Sequence, residues 1–308
     1  REITNLLGAE YYLDDSDVNQ PVKAVRVGDK YDYYNIGYVN WIGGFGQLEY
    51  TKDKLSAFAS AAISNTGYKR EDLFNYLDSD PNQITDWQNF LGYQIKGGVN
   101  YNLTANHNVF ANIGYFEKAP IFDNVFLNFV NDINPDAENE KIGSIELGYG
   151  YRSRTFNANV NIYRTQWKDR AFLRSIPNNT GDDITANLKG VNAVHQGVEV
   201  DFNYRPFTSL NLRGMVSIGD WQWQDDLTDV QVFDGQDPIG DPFDLRIAGL
   251  KVGNAAQTTA ALTAEYFLLP EVKVSVDMNY YANLYASFDP LNRVAVPGES
   301  DVAQPWKV

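Results

Sequence analysis

The chain has 308 residues, and 40 Asp and Glu against 25 Lys and Arg give it a formal net charge of −15. No basic surface is available to meet a phosphate backbone, which argues against a nucleic-acid partner. The absence of cysteine and the presence of only two histidines exclude disulfides, cysteine-ligated zinc, iron–sulfur clusters and thiol catalysis. No segment approaches the roughly 18 consecutive apolar residues of a membrane-spanning helix.

Apolar and polar residues alternate in many segments of the chain. This period of two residues is typical of a β-strand with one apolar and one polar face. In 193–206, for example, Val198 and Val200 alternate with Glu199 and Asp201. This pattern predicts an all-β protein of about ten strands. In chain order, they are 34–50, 54–68, 92–104, 107–117, 141–152, 155–169, 193–206, 209–224, 255–268 and 271–286.

Short and long connections alternate between these strands. Turns of two or three residues close each pair, whereas the connections 69–91, 118–140, 170–192 and 225–254 are long. Long antiparallel strands with tight turns at one end and long loops at the other are typical of a transmembrane β-barrel. A soluble β-sandwich, whose strands also alternate apolar and polar residues, is the alternative. A sandwich does not require strands well beyond the usual five or six residues, whereas the predicted strands are that long.

Strand parity predicts which side chains face lipid and which face the lumen. The lipid-facing set comprises Val160, Ile162, Val200, Phe202, Val274 and Val276, and the lumen-facing set comprises Asn159, Asn161, Asp201, Asn203, Ser275 and Asp277. Tyrosines near strand ends predict an aromatic girdle at the membrane interfaces. They are Tyr38, Tyr50, Tyr101, Tyr115, Tyr163, Tyr266 and Tyr280.

The sequence carries no motif of a known catalytic site, so we predict that the protein is not an enzyme. A nucleophile elbow, a phosphate-binding Gly-Lys-Ser/Thr loop and a His-Glu-x-x-His zinc motif are all missing. His195 lies on a polar face near Glu199 and Asp201, where it is either a general base or, as we favour, an ordinary polar residue. The glycines of 43–46 lie within a predicted strand and are better explained by close packing than by phosphate binding.

The longest connection contains a dense set of aspartates, whose hard oxygen ligands suit calcium. The set comprises Asp225, Asp226, Asp229, Asp234, Asp237, Asp241 and Asp244. The alternative is a solvated acidic loop, and no other cofactor is expected. Just before the loop, Trp221 and Trp223 are candidates for stacking on a ligand or, as we favour, for the interfacial girdle.

Three segments resemble the TonB-dependent receptors of Gram-negative outer membranes. The segment 114–120 (GYFEKAP) is similar to the family's Gly-x-Phe-Arg-x-Pro stretch, with Glu117 in place of Arg. The segment 134–149, NPDAENEK followed by IELGY, is similar to Asn-Pro-x-Leu-x-Pro-Glu and the strand after it, with Ala137 for Leu and Asn139 for Pro. Residues 197–200 (GVEV) match the Gly-Val-Glu strand opening.

The resemblance implies a partial β-barrel over residues 1–308, about ten strands of a 22-stranded barrel whose plug domain and C-terminal strands are absent. It implies an outer-membrane receptor that imports a siderophore, vitamin, glycan or peptide by TonB-dependent transport. The implied partners are outer-membrane lipid, the ligand, the TonB complex through the absent N-terminal region, and a surface lipoprotein if the ligand is a glycan or peptide. A passive porin-like channel and a soluble carbohydrate-binding protein are the alternatives.

Overall fold

The computed structural model describes residues 11–12, 17–25, 28–30, 33–127, 130–176, 184–234 and 237–295. Its strands are β1 (Tyr11–Tyr12), β2 (Ala24–Val25), β3 (Asn35–Lys52), β4 (Leu55–Asp72), β5 (Gln88–Asn102), β6 (His107–Lys118), β7 (Glu140–Arg152), β8 (Phe156–Ile176), β9 (Ile184–Phe207), β10 (Leu210–Trp223), β11 (Leu227–Asp234), β12 (Asp237–Leu245), β13 (Ala256–Leu269) and β14 (Val272–Leu284). Short helical turns occupy Pro81–Gln83, Phe122–Val125 and Pro290–Arg293. No helix in the described ranges is long and apolar enough to cross a membrane.

Ten strands form one antiparallel meander, and these are the ten strands predicted from the sequence. Their spatial order follows the chain, β3-β4-β5-β6-β7-β8-β9-β10-β13-β14, while β11 and β12 branch from β9. Connections of two to four residues join β3 to β4, β5 to β6, β7 to β8, β9 to β10 and β13 to β14 at one end. The prediction of an all-β antiparallel fold with short turns at one end is therefore confirmed.

The register aligns apolar side chains in rows across the sheet. Val200 of β9 lies opposite Val160 of β8 on one side and Val216 of β10 on the other. We call the face that carries this row the apolar face. Large side chains stand exposed along it, including Ile63, Ile95, Ile113, Leu147, Ile162, Val198, Ile218 and Val276. Rows of exposed aliphatic side chains on a sheet this wide require an apolar surrounding.

The opposite face, here named the polar face, carries a network of cross-strand hydrogen bonds. The Asn112 amide donates to Glu146 at 3.0 Å, and the Asn159 amide donates to Asp201 at 3.1 Å. Other members are Asn100, Asn108, Glu199, Ser217, Thr263 and Asp277. Opposite polar partners of this kind stabilise strand pairing on a wet surface.

Six of the seven tyrosines predicted for the girdle lie on the apolar face, with exposures from 37% for Tyr38 to 56% for Tyr280. Tyr163 is the exception, because its position opposite Gly197 and Glu146 belongs to a polar-face row. The girdle assignment of Tyr163 is therefore wrong, since odd positions of β8 point away from the apolar side.

The sheet is open within the described residues: β3 and β14 each pair with a single strand of the meander. Backbone groups without partners at two sheet edges cost several kcal/mol each in lipid. We therefore expect the 308 residues expressed alone not to insert into bilayers as a monomer. Gel mobility of heated and unheated samples from lipid vesicles tests this, because a stable, heat-modifiable monomer would show that the ten strands close by themselves.

Candidate functional site

The long connections form a folded layer at the end of the sheet opposite the short turns. We call it the loop layer; it comprises the described residues of 73–87, 119–139, 170–193 and 223–255, with the segment 285–295. It contains a cluster of buried apolar side chains, whereas the meander itself exposes both faces. The cluster consists of Ala186, Leu188, Val191, Ala193, Trp223, Leu227, Val230, Val232, Leu245, Ile247, Leu250 and Phe288.

Two predictions about the long connections are wrong. The connection predicted at 170–192 is largely strand, because β8 and β9 continue into the loop layer as far as 176 and from 184. The connection predicted as a solvated loop at 225–254 contains the hairpin of β11 and β12, and β11 pairs with the first residues of β9. Val230 and Val232 alternate with polar residues and bury against β9, and this alternation was the sequence signal for the hairpin.

A second packed unit joins the connection 73–87 to the connection 119–139. The Arg70 guanidinium forms a buried ion pair with Asp72 at 3.1 Å and donates to Asn131 at 2.8 Å. Asp72 also accepts backbone N–H groups of Phe74 and Asn75. One buried charge pair therefore orders segments that are about 60 residues apart in sequence.

Ring contacts attach this unit to the sheet. Phe122 packs edge-on against Tyr68, with ring centroids 5.8 Å apart, and makes a tilted ring contact with Phe126 at 4.8 Å. The side chain of Asn124 donates to the carbonyl of Ala171 on β8 at 2.6 Å. The loop layer is thus fixed to the strand ends at several points.

Asp225 and Asp226, the first two predicted calcium ligands along the chain, are engaged in structural hydrogen bonds. The Asp226 carboxylate accepts the backbone N–H groups of Ile247 and Ala248 at 2.8 and 2.9 Å, which closes the return from the hairpin. Asp225 accepts from the Asn192 amide at 2.7 Å. Carboxylates used in this way stabilise turns without any metal.

The other aspartates are distributed along the hairpin. Asp244 accepts the backbone N–H of Asp229 at 3.2 Å. Asp234 lies opposite Asp237 at the hairpin tip, and Asp241 lies within β12. Over the ranges that the structure describes, no three acidic or histidine side chains converge as metal ligands. Calcium binding by these residues remains a prediction.

Hydrogen exchange tests this prediction on the full-length receptor. Calcium binding would slow amide exchange across 225–244 relative to chelator, because neutralised carboxylates no longer repel one another. The amides of the paired residues 198–204 of β9 and 212–218 of β10, which lie in the meander outside the loop layer, serve as an internal reference that stays protected in both conditions. Equal exchange with and without calcium would leave an acidic hairpin that binds no metal.

An aromatic stack lies where the polar face meets the loop layer. The His195 ring stacks on Trp221, with centroids 5.0 Å apart and an interplanar angle of 14°. Trp167 flanks it at 5.8 Å. The Trp221 indole donates to the Tyr163 hydroxyl at 3.0 Å. Trp223 is 5% exposed within the buried cluster. The girdle role favoured for the two tryptophans is therefore wrong, because both side chains have polar-face parity on β10 and point away from the apolar face.

His195 lies beyond the exposed apolar rows, since its neighbour on the apolar face is Gln196. Burial, assisted by the charge of Arg170, lowers the pKa of His195 to about 4, so its ring is neutral at pH 7. Its Nε2 has no hydrogen-bond partner among the described residues. A neutral ring between two tryptophans packs rather than acts as a base, and the structure gives no support to a catalytic role.

These features correspond to a known family. The family model described as TonB dependent receptor-like, beta-barrel, matches residues 2–301. The chain belongs to this family. TonB-dependent receptors lie in the outer membrane of Gram-negative bacteria, so the apolar face of this receptor faces lipid and its polar face lines the lumen. A comparison with curated proteins gives no match.

Solved structures with the same fold include three transport proteins. They are the copper transporter OprC (14% identity, TM-score 0.53, 79% of this chain and 42% of that one), the FrpB iron transporter from Neisseria meningitidis (14%, 0.54, 81% and 34%) and the siderophore receptor PiuA from Acinetobacter baumannii (14%, 0.58, 81% and 34%). The receptor chain thus spans 34% to 42% of the length of these structures. At this identity, the likeness concerns the fold.

Outer-membrane barrels place short turns in the periplasm and long loops outside, so we expect the loop layer to face the medium. A cysteine at Asp234, which is exposed at the hairpin tip, should react with a membrane-impermeant thiol reagent on intact cells. A cysteine at Asn106, in a short turn, should react only after the cells are lysed. Asn178, in the predicted connection 170–192, would be a further labelling position but lies outside the described residues. Labelling at Asn106 alone would reverse the orientation.

Proposed function

We propose that this barrel belongs to a TonB-dependent transporter that imports a scarce nutrient across the outer membrane. Membership of the family is the observation that carries the proposal. A polar inner wall suits passage of a hydrated solute. The ordered loop layer supplies a surface where a ligand can be held before it enters. Binding, release and passage need no covalent chemistry in this scheme.

The charge of the hairpin in the loop layer narrows the ligand class. On the polar face of the sheet, carboxylates and cations occur in similar numbers, for example Glu146, Asp201 and Glu265 against Arg205, Arg213 and Lys273. The hairpin, by contrast, carries seven aspartates between 225 and 244 and no lysine or arginine over those positions. A potential of this sign repels anions on approach. We therefore propose a neutral ligand, or one that carries or accompanies a metal cation.

Three ligand groups satisfy this description. The first is a metal or metal chelate, the class named for the structural relatives OprC, FrpB and PiuA. The second is a vitamin, and the third is a neutral glycan or peptide, whose capture would involve a surface lipoprotein. Co-purification of the receptor from native membranes tests for such a partner. The TonB complex would supply the energy through a region that precedes the barrel.

Uptake by cells tests the transport mechanism. Cells that express the full-length receptor are given a ⁵⁵Fe-siderophore, ⁵⁷Co-cobalamin and a ¹⁴C-maltodextrin in turn. We expect one probe to accumulate, and only in cells with functional TonB. The purified receptor should show no steady conductance in planar bilayers. Accumulation without TonB, together with open-channel conductance, would instead identify a passive porin-like channel.

A further inference from the structure

A groove of about 560 Å³ opens on the lipid-facing side of β6, β7 and β8, near the loop layer. Its walls carry three cationic side chains and no carboxylate. The lining includes Tyr115, Lys141, Gly143, Ile145, Arg164, Gln166 and Lys168. In a chain with net charge −15, this outward groove is lined by three cations, and the carboxylates next to it belong to Glu117, Glu138 and Asp169.

Register explains why the groove exists. Gly143 of β7 lies opposite Tyr115 of β6 on one side and opposite Gln166 of β8 on the other. No atom lies within 4 Å of where a Cβ at Gly143 would be. The larger neighbours therefore form walls, and the glycine backbone forms a floor that is open to the outside.

The cations of the groove differ in how far they are compensated. Lys141 forms ion pairs with Glu138 at 3.0 Å and Asp169 at 2.7 Å. Arg164 donates to the neutral side chain of Gln196 at 2.6 Å. Within the described residues, neither Arg164 nor Lys168 has a carboxylate partner. Two positive charges consequently remain available to an anion.

A third carboxylate, Glu117, lies on the β6 side of the groove. It is on the same face as Tyr115, two strands away from Arg164, and accepts a hydrogen bond from the Tyr115 hydroxyl at 2.8 Å. Its second oxygen lies 3.5 Å from the Asn139 amide. Both oxygens are thus occupied on the β6 side of the groove, whereas Arg164 and Lys168 project from β8.

The groove lies at the upper limit of the apolar rows. Ile145 and Ile162, which are 47% and 58% exposed, are the last large aliphatic side chains of β7 and β8 on this face. Arg164 follows Ile162 directly on the same face, with Gln166 and Lys168 beyond it. With the long loops outside, this level is where acyl chains end and the headgroups of the outer leaflet begin.

We propose that Arg164 and Lys168, with Lys141, bind the phosphate groups of the lipopolysaccharide headgroup in the outer leaflet. Arginine offers a fork that matches phosphate, and lysine acts as a point charge. Acyl chains of the same lipid molecule would contact Ile145 and Ile162. A free anion such as inorganic phosphate cannot make this contact. The inference rests on the membrane orientation given above and is independent of the nutrient that the receptor transports.

Thermal melting of the delipidated full-length receptor in detergent tests the proposal. Bisphosphorylated lipid A should raise the Tm in a saturable way, because ligands of the folded state stabilise it. Dephosphorylated lipid A and inorganic phosphate at equal concentration should not. The double variant R164Q/K168Q should need about tenfold or more lipid A for the same shift. Arg164→Lys, which keeps the charge, should retain most of the binding.

The matched control removes two cations from the lumen wall, K96Q/R213Q, and should bind lipid A like the wild type. Equal binding by R164Q/K168Q and this control would overturn the proposal. An equal Tm shift from inorganic phosphate would also overturn it, by showing a site for free anions. If the double variant is poorly folded, loss of lipid A binding by Arg164→Lys alone would also contradict a charge-based site.

Discussion

Replacing Asp72 by alanine is expected to release the connections 73–87 and 119–139 from the sheet. Asp72 is 1% exposed and pairs with Arg70, which is 3% exposed. Removing one partner of a buried pair leaves a charge without compensation and costs about 3–5 kcal/mol. The backbone N–H groups of Phe74 and Asn75 lose their acceptor at the same time. Amide exchange across 73–87 in the full-length receptor should accelerate by two or more orders of magnitude.

A control in the same connection separates this effect from general loop damage. Asp86 is exposed, and its replacement by alanine should leave exchange nearly unchanged. Asp72→Asn keeps the shape of the side chain and one acceptor oxygen but loses the charge, so an intermediate effect is expected. If Asp72→Ala exchanges like Asp86→Ala, the buried pair does not organise the loop layer.

Arginine at Val200 is expected to destabilise the inserted barrel by about 2–4 kcal/mol, because it places a charge against lipid near mid-membrane. Val200 lies between Val160 and Val216 in an apolar row and is 38% exposed in the absence of lipid. Urea titrations of the receptor folded in lipid bilayers measure the loss. The prediction assumes only the face assignment that the register supports.

The structure supplies a better control than the sequence did. Asn203, the lumen position chosen from parity, lies directly opposite Arg213, so an arginine there would meet a like charge. Ser217 lies on the same lumen face, next to Val216 and opposite Glu199. Ser217→Arg should therefore cost little at a similar depth. Equal losses for Val200→Arg and Ser217→Arg would mean that the two faces are wrongly assigned.

The ten strands of the meander, which form the wall of the barrel, could be predicted from the sequence because lipid and lumen impose opposite polarity on alternate residues. All ten strands and the assignment of both faces follow from this rule. Above the membrane the rule fails, since the loop layer covers the polar face and apolar residues appear there. Val191, Ala193 and Trp223 are examples: they have the parity of polar-face residues but are buried in the cluster.

The ends of β8 and β9 were missed for a second physical reason. Asp169 and Gly190 have positive φ angles of 58° and 67°, and the pairing of the two strands shifts register between Trp167 and Phe172. A bulge adds a residue to one strand and reverses which positions point to a given face. Ala186 and Leu188 therefore bury at even positions, while Val191 and Ala193 bury at odd ones. A strand predicted from the alternation of apolar and polar residues therefore ends at such a reversal, although the strand in the structure continues.

The same bulge divides the molecule into two parts with separate sources of order. Below it, the strands depend on the membrane and on their neighbours in the wall; above it, the loop layer has a hydrophobic core and a buried ion pair of its own. A substitution in one part is therefore expected to leave the packing of the other part intact. The outer surface can then change in sequence while the wall keeps the alternation of apolar and polar residues on which its insertion depends.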